Sequence, residues 1–117
     1  MEGPALFTAE VRDAQDGYAL VVLSGELDYN TTTTLLDVVQ PQAASGRAVV
    51  LDMHAVTFCD SGGLNSLVKL HKAARAAGGS LRLARVSDTV RRVVTIVALD
   101  RILEIVDEVP SVDGDPR

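Results

Sequence analysis

The residues best placed to do chemistry stand in one run, Cys59-Asp60-Ser61-Gly62-Gly63-Leu64, with His54 shortly before it and His71 shortly after. A serine beside an acid suggests either a nucleophile or a hydroxyl that accepts a phosphoryl group. A nucleophilic serine needs a histidine base oriented by an acid, and the histidines are only His54 and His71. Helical spacing puts His71 on an apolar face, where it packs. The sharp turn Gly-x-Ser-x-Gly would need glycine where Cys59 stands. Asp-Ser-Gly-Gly also surrounds the nucleophile of chymotrypsin-like proteases, but two β-barrels do not fit a chain this short and helical. His54, Cys59 and His71 have no recognised metal-ligand spacing, and no Gly-x-x-x-x-Gly-Lys loop is present for nucleotide phosphates. The residues thus predict no enzyme, no metal and no cofactor. Cys59 reads as a buried structural thiol.

The same run would also tolerate a phosphoryl group. Ser61 is an acceptable N-cap, and the glycines after it leave the first-turn amides uncovered, at the positive end of the helix dipole. A phosphate adds about -1.5 to -2 charges, which such a helix end stabilises by about 0.3–1 kcal/mol. Asp60 opposes it by repulsion. The plainest alternative is that Ser61 does nothing but cap.

The elements that must position this run follow from periodicity. Leu6 to Val11 alternates weakly as an edge strand, Asp13 to Gly17 reads as a hairpin turn, and Tyr18 to Leu23 as a second strand broken by Ser24 to Asp28. Asn30 is the expected cap of a first helix with Leu35, Val38, Val39 and Gln42 on one face, ended or kinked at Gln40 by Pro41. Ala48 to Leu51 is a buried strand, and Val56 to Cys59 is ambiguous. Ser61 opens a helix with Leu64, Leu67, Val68, His71 and Ala74 along one stripe, stopped by Gly78-Gly79. Leu81 to Ala84 is a strand. Ser87 or Asp88 caps a third helix with Val90, Val93, Val94 and Val97 on one face, and Ile102 to Val106 is a last strand. The order β-β-α-β-α-β-α-β predicts an α/β domain with a mixed sheet, an antiparallel edge hairpin and helices packed against it. Functional loops in such sheets lie beyond the carboxyl ends of strands, where Gly25 to Asn30 and Cys59 to Gly63 both fall.

The totals agree. The 117 residues suit one domain, expected over residues 1–106 with a polar tail at 107–117. A net charge of -5 argues against nucleic acid. One cysteine fits a reducing compartment, and neither a secretory signal nor an 18-residue apolar span is visible. These features predict a cytoplasmic protein that does not engage membrane.

Asp60-Ser61-Gly62-Gly63-Leu64 resembles the Asp-Ser-Ser-Gly-Leu motif of bacterial anti-sigma factor antagonists, whose fold is the STAS domain. Gly25-Glu26-Leu27-Asp28 resembles that family's Gly-Glu-Leu-Asp loop. Val49-Val50-Leu51-Asp52 with Val56-Thr57-Phe58 resembles its central strand and lead-in, and Gly78-Gly79-Ser80-Leu81, Val86-Ser87 and Leu99-Asp100-Arg101-Ile102 its second half. The resemblance runs from about Val11 to Val106. It implies that Ser61 is the phosphoacceptor, and that Asp28, Asp60, Gly62, Gly63 and Leu64 form the docking surface around it. The implied partners are an anti-sigma factor, itself a serine kinase with a histidine-kinase-like ATPase fold, and a metal-dependent PP2C-type phosphatase. The bare antagonist binds the anti-sigma factor and frees the sigma factor, and phosphorylation reverses this. The motif's second serine is replaced by Gly62. A rival use of the fold is as an accessory subunit of lipid or anion transport systems, where the switch residue is often threonine or absent.

Overall fold

Strands with alternating apolar residues bury one face only if something covers it, and here three helices do. The computed structural model describes residues 7–13 and 17–109. The elements are β1 (Phe7–Asp13), β2 (Ala19–Leu27), α1 (Thr32–Ala44), β3 (Ala48–Cys59), α2 (Ser61–Ala76), β4 (Ser80–Ala84), α3 (Asp88–Ile96), a 3-10 turn at Leu99–Arg101 and β5 (Glu104–Val106). Leu6, positions 14–16 of the expected hairpin turn, and positions 110–117 of the expected tail lie outside the described residues.

The sheet order is β1-β2-β3-β4-β5, with β1–β2 antiparallel and the other pairs parallel. This is the mixed α/β sheet with an antiparallel edge that the element order predicts. Right-handed crossovers in a sheet that grows in one direction put every helix on the same face. A single core results: Val21, Leu23, Val49, Leu51, Met53, Leu81 and Leu83 meet Leu35 and Val39 of α1, Leu67 and Leu70 of α2, and Val90 and Val94 of α3. Truncating one of these leucines to alanine costs about 2–5 kcal/mol. Side chains alternate along strands, so Val50, Asp52 and Ala84 are buried on the opposite, helix-free face and stand outside this core.

Two local expectations are corrected and one open stretch is settled. β2 does not stop at Leu23 but continues to Leu27, passing two register irregularities against β3. Val56 to Cys59 is the end of a twelve-residue β3, which pairs with β4 only as far as Asp52 and with β2 to the end. Pro41 lies inside α1 rather than ending it, on the exposed side, where the ring and the missing N–H disturb no packing. The long β2–β3 pair sets the geometry at the carboxyl end of the sheet. Leu27 and Cys59 are register partners at its tip, so the segments that leave them, one toward α1 and one into α2, are neighbours.

Candidate functional site

At that tip, Asp60 rather than Ser61 is the N-cap of α2. Its backbone is extended (φ -98°, ψ -174°), and its Oδ1 accepts the amide of Gly63 at 2.9 Å. Its Oδ2 accepts the amide of Tyr29 at 3.2 Å, from the loop after β2. One carboxylate therefore caps the helix and ties the two loops together. The correction matters, because the serine is relieved of capping. Ser61 is the first helical residue, is exposed, and its hydroxyl makes no hydrogen bond among the described residues.

Asp28 works within its own loop. Its Oδ1 accepts the amides of Asn30 at 2.9 Å and Thr31 at 3.1 Å. Thr31, not Asn30, holds the cap position of α1 and is buried. Its Oγ1 donates to the Glu26 carbonyl at 2.9 Å and accepts the Asp28 amide at the same distance. A side chain bonded on both sides of a turn stops the backbone from fraying. Tyr29 at the apex of this fixed loop is 79% exposed.

The glycines of the motif differ in what they do. A Cβ on Gly62 would stand 3.2 Å from Tyr29 Cα and 3.3 Å from Asp60 Oδ1. A Cβ on Gly63 would stand 2.6 Å from the Leu27 carbonyl oxygen, 2.9 Å from Leu27 Cγ and 3.0 Å from Cys59 Sγ. Gly63 is therefore what lets α2 start against the end of β2. It is buried, as is Leu64, which lies at the floor of a groove. That groove, about 300 Å³, is lined by Ser61, Leu64, Asn65 and Val68 of α2 and by Val97 and Leu99. A smaller hollow of about 150 Å³ lies on the other side of Asn65, walled by Tyr29, Thr32, Leu36, Gly62, Ser66 and Lys69. Asn65 borders both, and Ser61, one helical turn before it, lines the larger groove.

The remaining candidates do not join this site. Cys59 is buried, and desolvation, with a smaller contribution from Asp60, pushes its thiol up to about 12; it is no nucleophile at neutral pH. His54 is exposed on β3 and His71 is half-buried on α2. Among the described residues no three His, Cys, Asp or Glu side chains gather as a metal site. No helix among them is long and apolar enough to cross a membrane.

Sequence reasoning missed Tyr29, the groove at the end of α3, and one ion pair. On the helix-free face Asp52 is gripped by Arg85, Nε to Oδ1 at 3.1 Å and Nη2 to Oδ2 at 2.7 Å, and Oδ1 also accepts the His54 amide at 3.2 Å. Burial alone raises the Asp52 carboxyl, but the Arg85 and His54 bonds and the nearby positive charge outweigh it and hold it below the usual carboxylate value. An aspartate in the middle of an apolar strand run, with an arginine just past the next strand, was the available signal.

A family profile for the STAS domain matches residues 11–112. The chain is 31% identical over 85 residues to an anti-sigma-B factor antagonist of Bacillus subtilis, covering 73% of this chain and 78% of that one. The crystal structure of an anti-sigma factor antagonist from Mycobacterium paratuberculosis superposes with a TM-score of 0.77 at 27% identity, over 97% of this chain and 93% of the other. The Bacillus cell fate determinant SpoIIAA in its phosphorylated form superposes with a TM-score of 0.65 at 18% identity, over 86% and 93%, which speaks for the fold. With the motif, the topology and these likenesses in agreement, the chain belongs to the STAS domain family, among relatives that are bacterial anti-sigma factor antagonists.

Proposed function

We propose that this protein is an anti-sigma factor antagonist that captures its anti-sigma factor when Ser61 is bare and releases it when Ser61 is phosphorylated. The observation that carries the reading is the state of the Ser61 hydroxyl: exposed, free of hydrogen bonds among the described residues, and on the wall of an apolar groove at a helix start that Asp60 already caps. A kinase can reach it without unfolding anything. The domain keeps its cap whether or not the serine is modified. A partner seated on Leu64, Val68 and Val97 would have to bury the new charge, which costs at least a few kcal/mol when unpaired. Each 1.4 kcal/mol is about tenfold in affinity, so one phosphate switches binding by roughly a hundredfold or more. Asp28 fixes the loop after β2, Asp60 ties it to the start of α2, and Gly62 and Gly63 let the two approach. The kinase is the anti-sigma factor itself, of the histidine-kinase-like fold, and a PP2C-type phosphatase resets the cycle; both come from the family resemblance. The protein has no catalytic step of its own in this reading.

Incubation with the purified kinase and ATP, followed by peptide mass mapping, tests the site. Phosphate on the peptide containing Ser61, its loss in Ser61→Ala, retained binding by Ser61→Ala and weak binding by Ser61→Asp are the expected results. Modification elsewhere with Ser61 untouched, or equal affinity of the two variants, refutes the reading.

A further inference from the structure

We propose that the carboxyl end of α3 is the second half of the docking face, so that the anti-sigma factor straddles Ser61 with an apolar side chain seated between α2 and α3. The inference rests on the partner-switching reading above and adds a surface to it that lies some thirty-five residues beyond the motif.

Helical spacing assigns Val97 to the buried stripe with Val90 and Val94, and those two are buried. Val97 is not: it is 49% exposed, and its neighbour Ile96 is 73% exposed. The cause is local. α3 ends at Ile96, and Ala98 takes up a left-handed backbone (φ 61°) that swings the chain into the 3-10 turn at Leu99. Alanine in that conformation costs on the order of 1 kcal/mol, and the apolar side chains are left open to water. The turn returns Leu103 to the core and packs Leu99 against it, but it leaves Ile96 and Val97 without cover. Ile102, at the end of the same turn, is also exposed. Scattered surface hydrophobics need no account, but Val97 and Leu99 are not scattered. They form one wall of the groove whose other wall is Ser61, Leu64, Asn65 and Val68.

Continuity with Ser61 names the occupant. No charged side chain lines the groove, so what fits is an apolar side chain of a partner, not an anion or a nucleic acid. A ligand seated there lies against the serine hydroxyl. Phosphorylation then puts its charge inside an apolar contact, and release follows from the same geometry as capture. A partner that touched only the motif loop could turn the phosphate toward solvent, whereas one wedged between Ser61 and Val97 cannot.

Binding of each histidine-kinase-like anti-sigma factor of the same genome, purified, is measured by calorimetry against the full chain, Ser61→Asp, Ile96→Ser with Val97→Ser, and Val11→Ser on the edge strand. Both serine changes at α3 fall on exposed positions, and circular dichroism with thermal unfolding verifies the fold. The double change is expected to weaken binding by on the order of tenfold or more, as loss of a buried apolar anchor does, while Val11→Ser leaves it unchanged. Val97→Met, which keeps the apolar contact, retains binding within a few fold. If wild type binds and Ser61→Asp does not, yet the folded double variant binds like wild type, the α3 surface is refuted and the switch stands. If no such anti-sigma factor binds wild type, both fall.

Discussion

Replacing Gly63 by alanine tests the packing that presents Ser61, and Gly62→Ala in the same helical turn is its matched reference. Both changes remove the excess backbone entropy of a helical glycine, a gain of roughly 0.5–1 kcal/mol. They differ in what the new methyl meets. At Gly62 the nearest atoms stand at 3.2–3.4 Å, and the exposed Tyr29 loop can give by a few tenths of an ångström, so the gain and the crowding roughly cancel. At Gly63 the methyl would come to 2.6 Å of a backbone oxygen of β2 and 3.0 Å of the buried Cys59 sulfur. The first is roughly 0.8 Å short of ordinary contact, and a carbonyl in a paired strand has no rotamer with which to escape. Overpacking of this kind costs about 1–3 kcal/mol. Gly63→Ala should therefore be less stable than Gly62→Ala by roughly 0.5–2 kcal/mol, a difference in Tm of roughly 4 °C per kcal/mol for a domain of this size. Urea unfolding with both variants at one pH reads the difference directly. Because the shift pushes α2 from the end of β2, the hydrogen bond that the Tyr29 amide donates to Asp60 should loosen too, visible as faster exchange of that amide. Equal stability of the two variants would refute the close approach of α2 to Leu27, and with it the account of how Ser61 is held at the tip.

Asp52→Asn should cost about 1–3 kcal/mol at neutral pH, less than the roughly 3–5 kcal/mol for breaking a fully buried pair, because the Arg85 side chain is 42% exposed and partly screened. Since the folded carboxyl lies below its unfolded value, its contribution is present above about pH 4 and fades as pH falls through the folded value; denaturant titrations of both proteins from pH 7 to 3 should show the gap closing, and a gap that widened on acidification would contradict the ion pair. Cys59 should resist a thiol reagent at pH 7–8 in the native protein and react at once in denaturant, because its thiol is pushed to about 12 by burial; rapid native labelling would place it at the surface.

The local pattern of residues was enough to define the alternation of strands and helices, a capped start of α3 at Ser87 or Asp88, and the motif around Ser61, because each depends on neighbours a few positions apart. The same local logic fails where a distant segment competes. Asp60 outranks Ser61 as the cap because only a carboxylate can take an amide with each of its oxygens, Gly63 in its own helix and Tyr29 thirty-one residues away. β2 outruns its apolar stretch because β3 offers ladder partners up to Cys59. Val97 leaves the helical stripe because α3 ends one residue early. Asp52 is tolerable on a buried strand because Arg85 arrives from beyond β4. Residue type and spacing thus marked the candidate residues, and the likeness of the motif to a known family singled out Ser61, since side-chain type is a property of the chain. Which oxygen caps, which hydroxyl is left free and which apolar groups stay open were decided by the tertiary fold, since each depends on partners that only folding brings within hydrogen-bond or van der Waals distance.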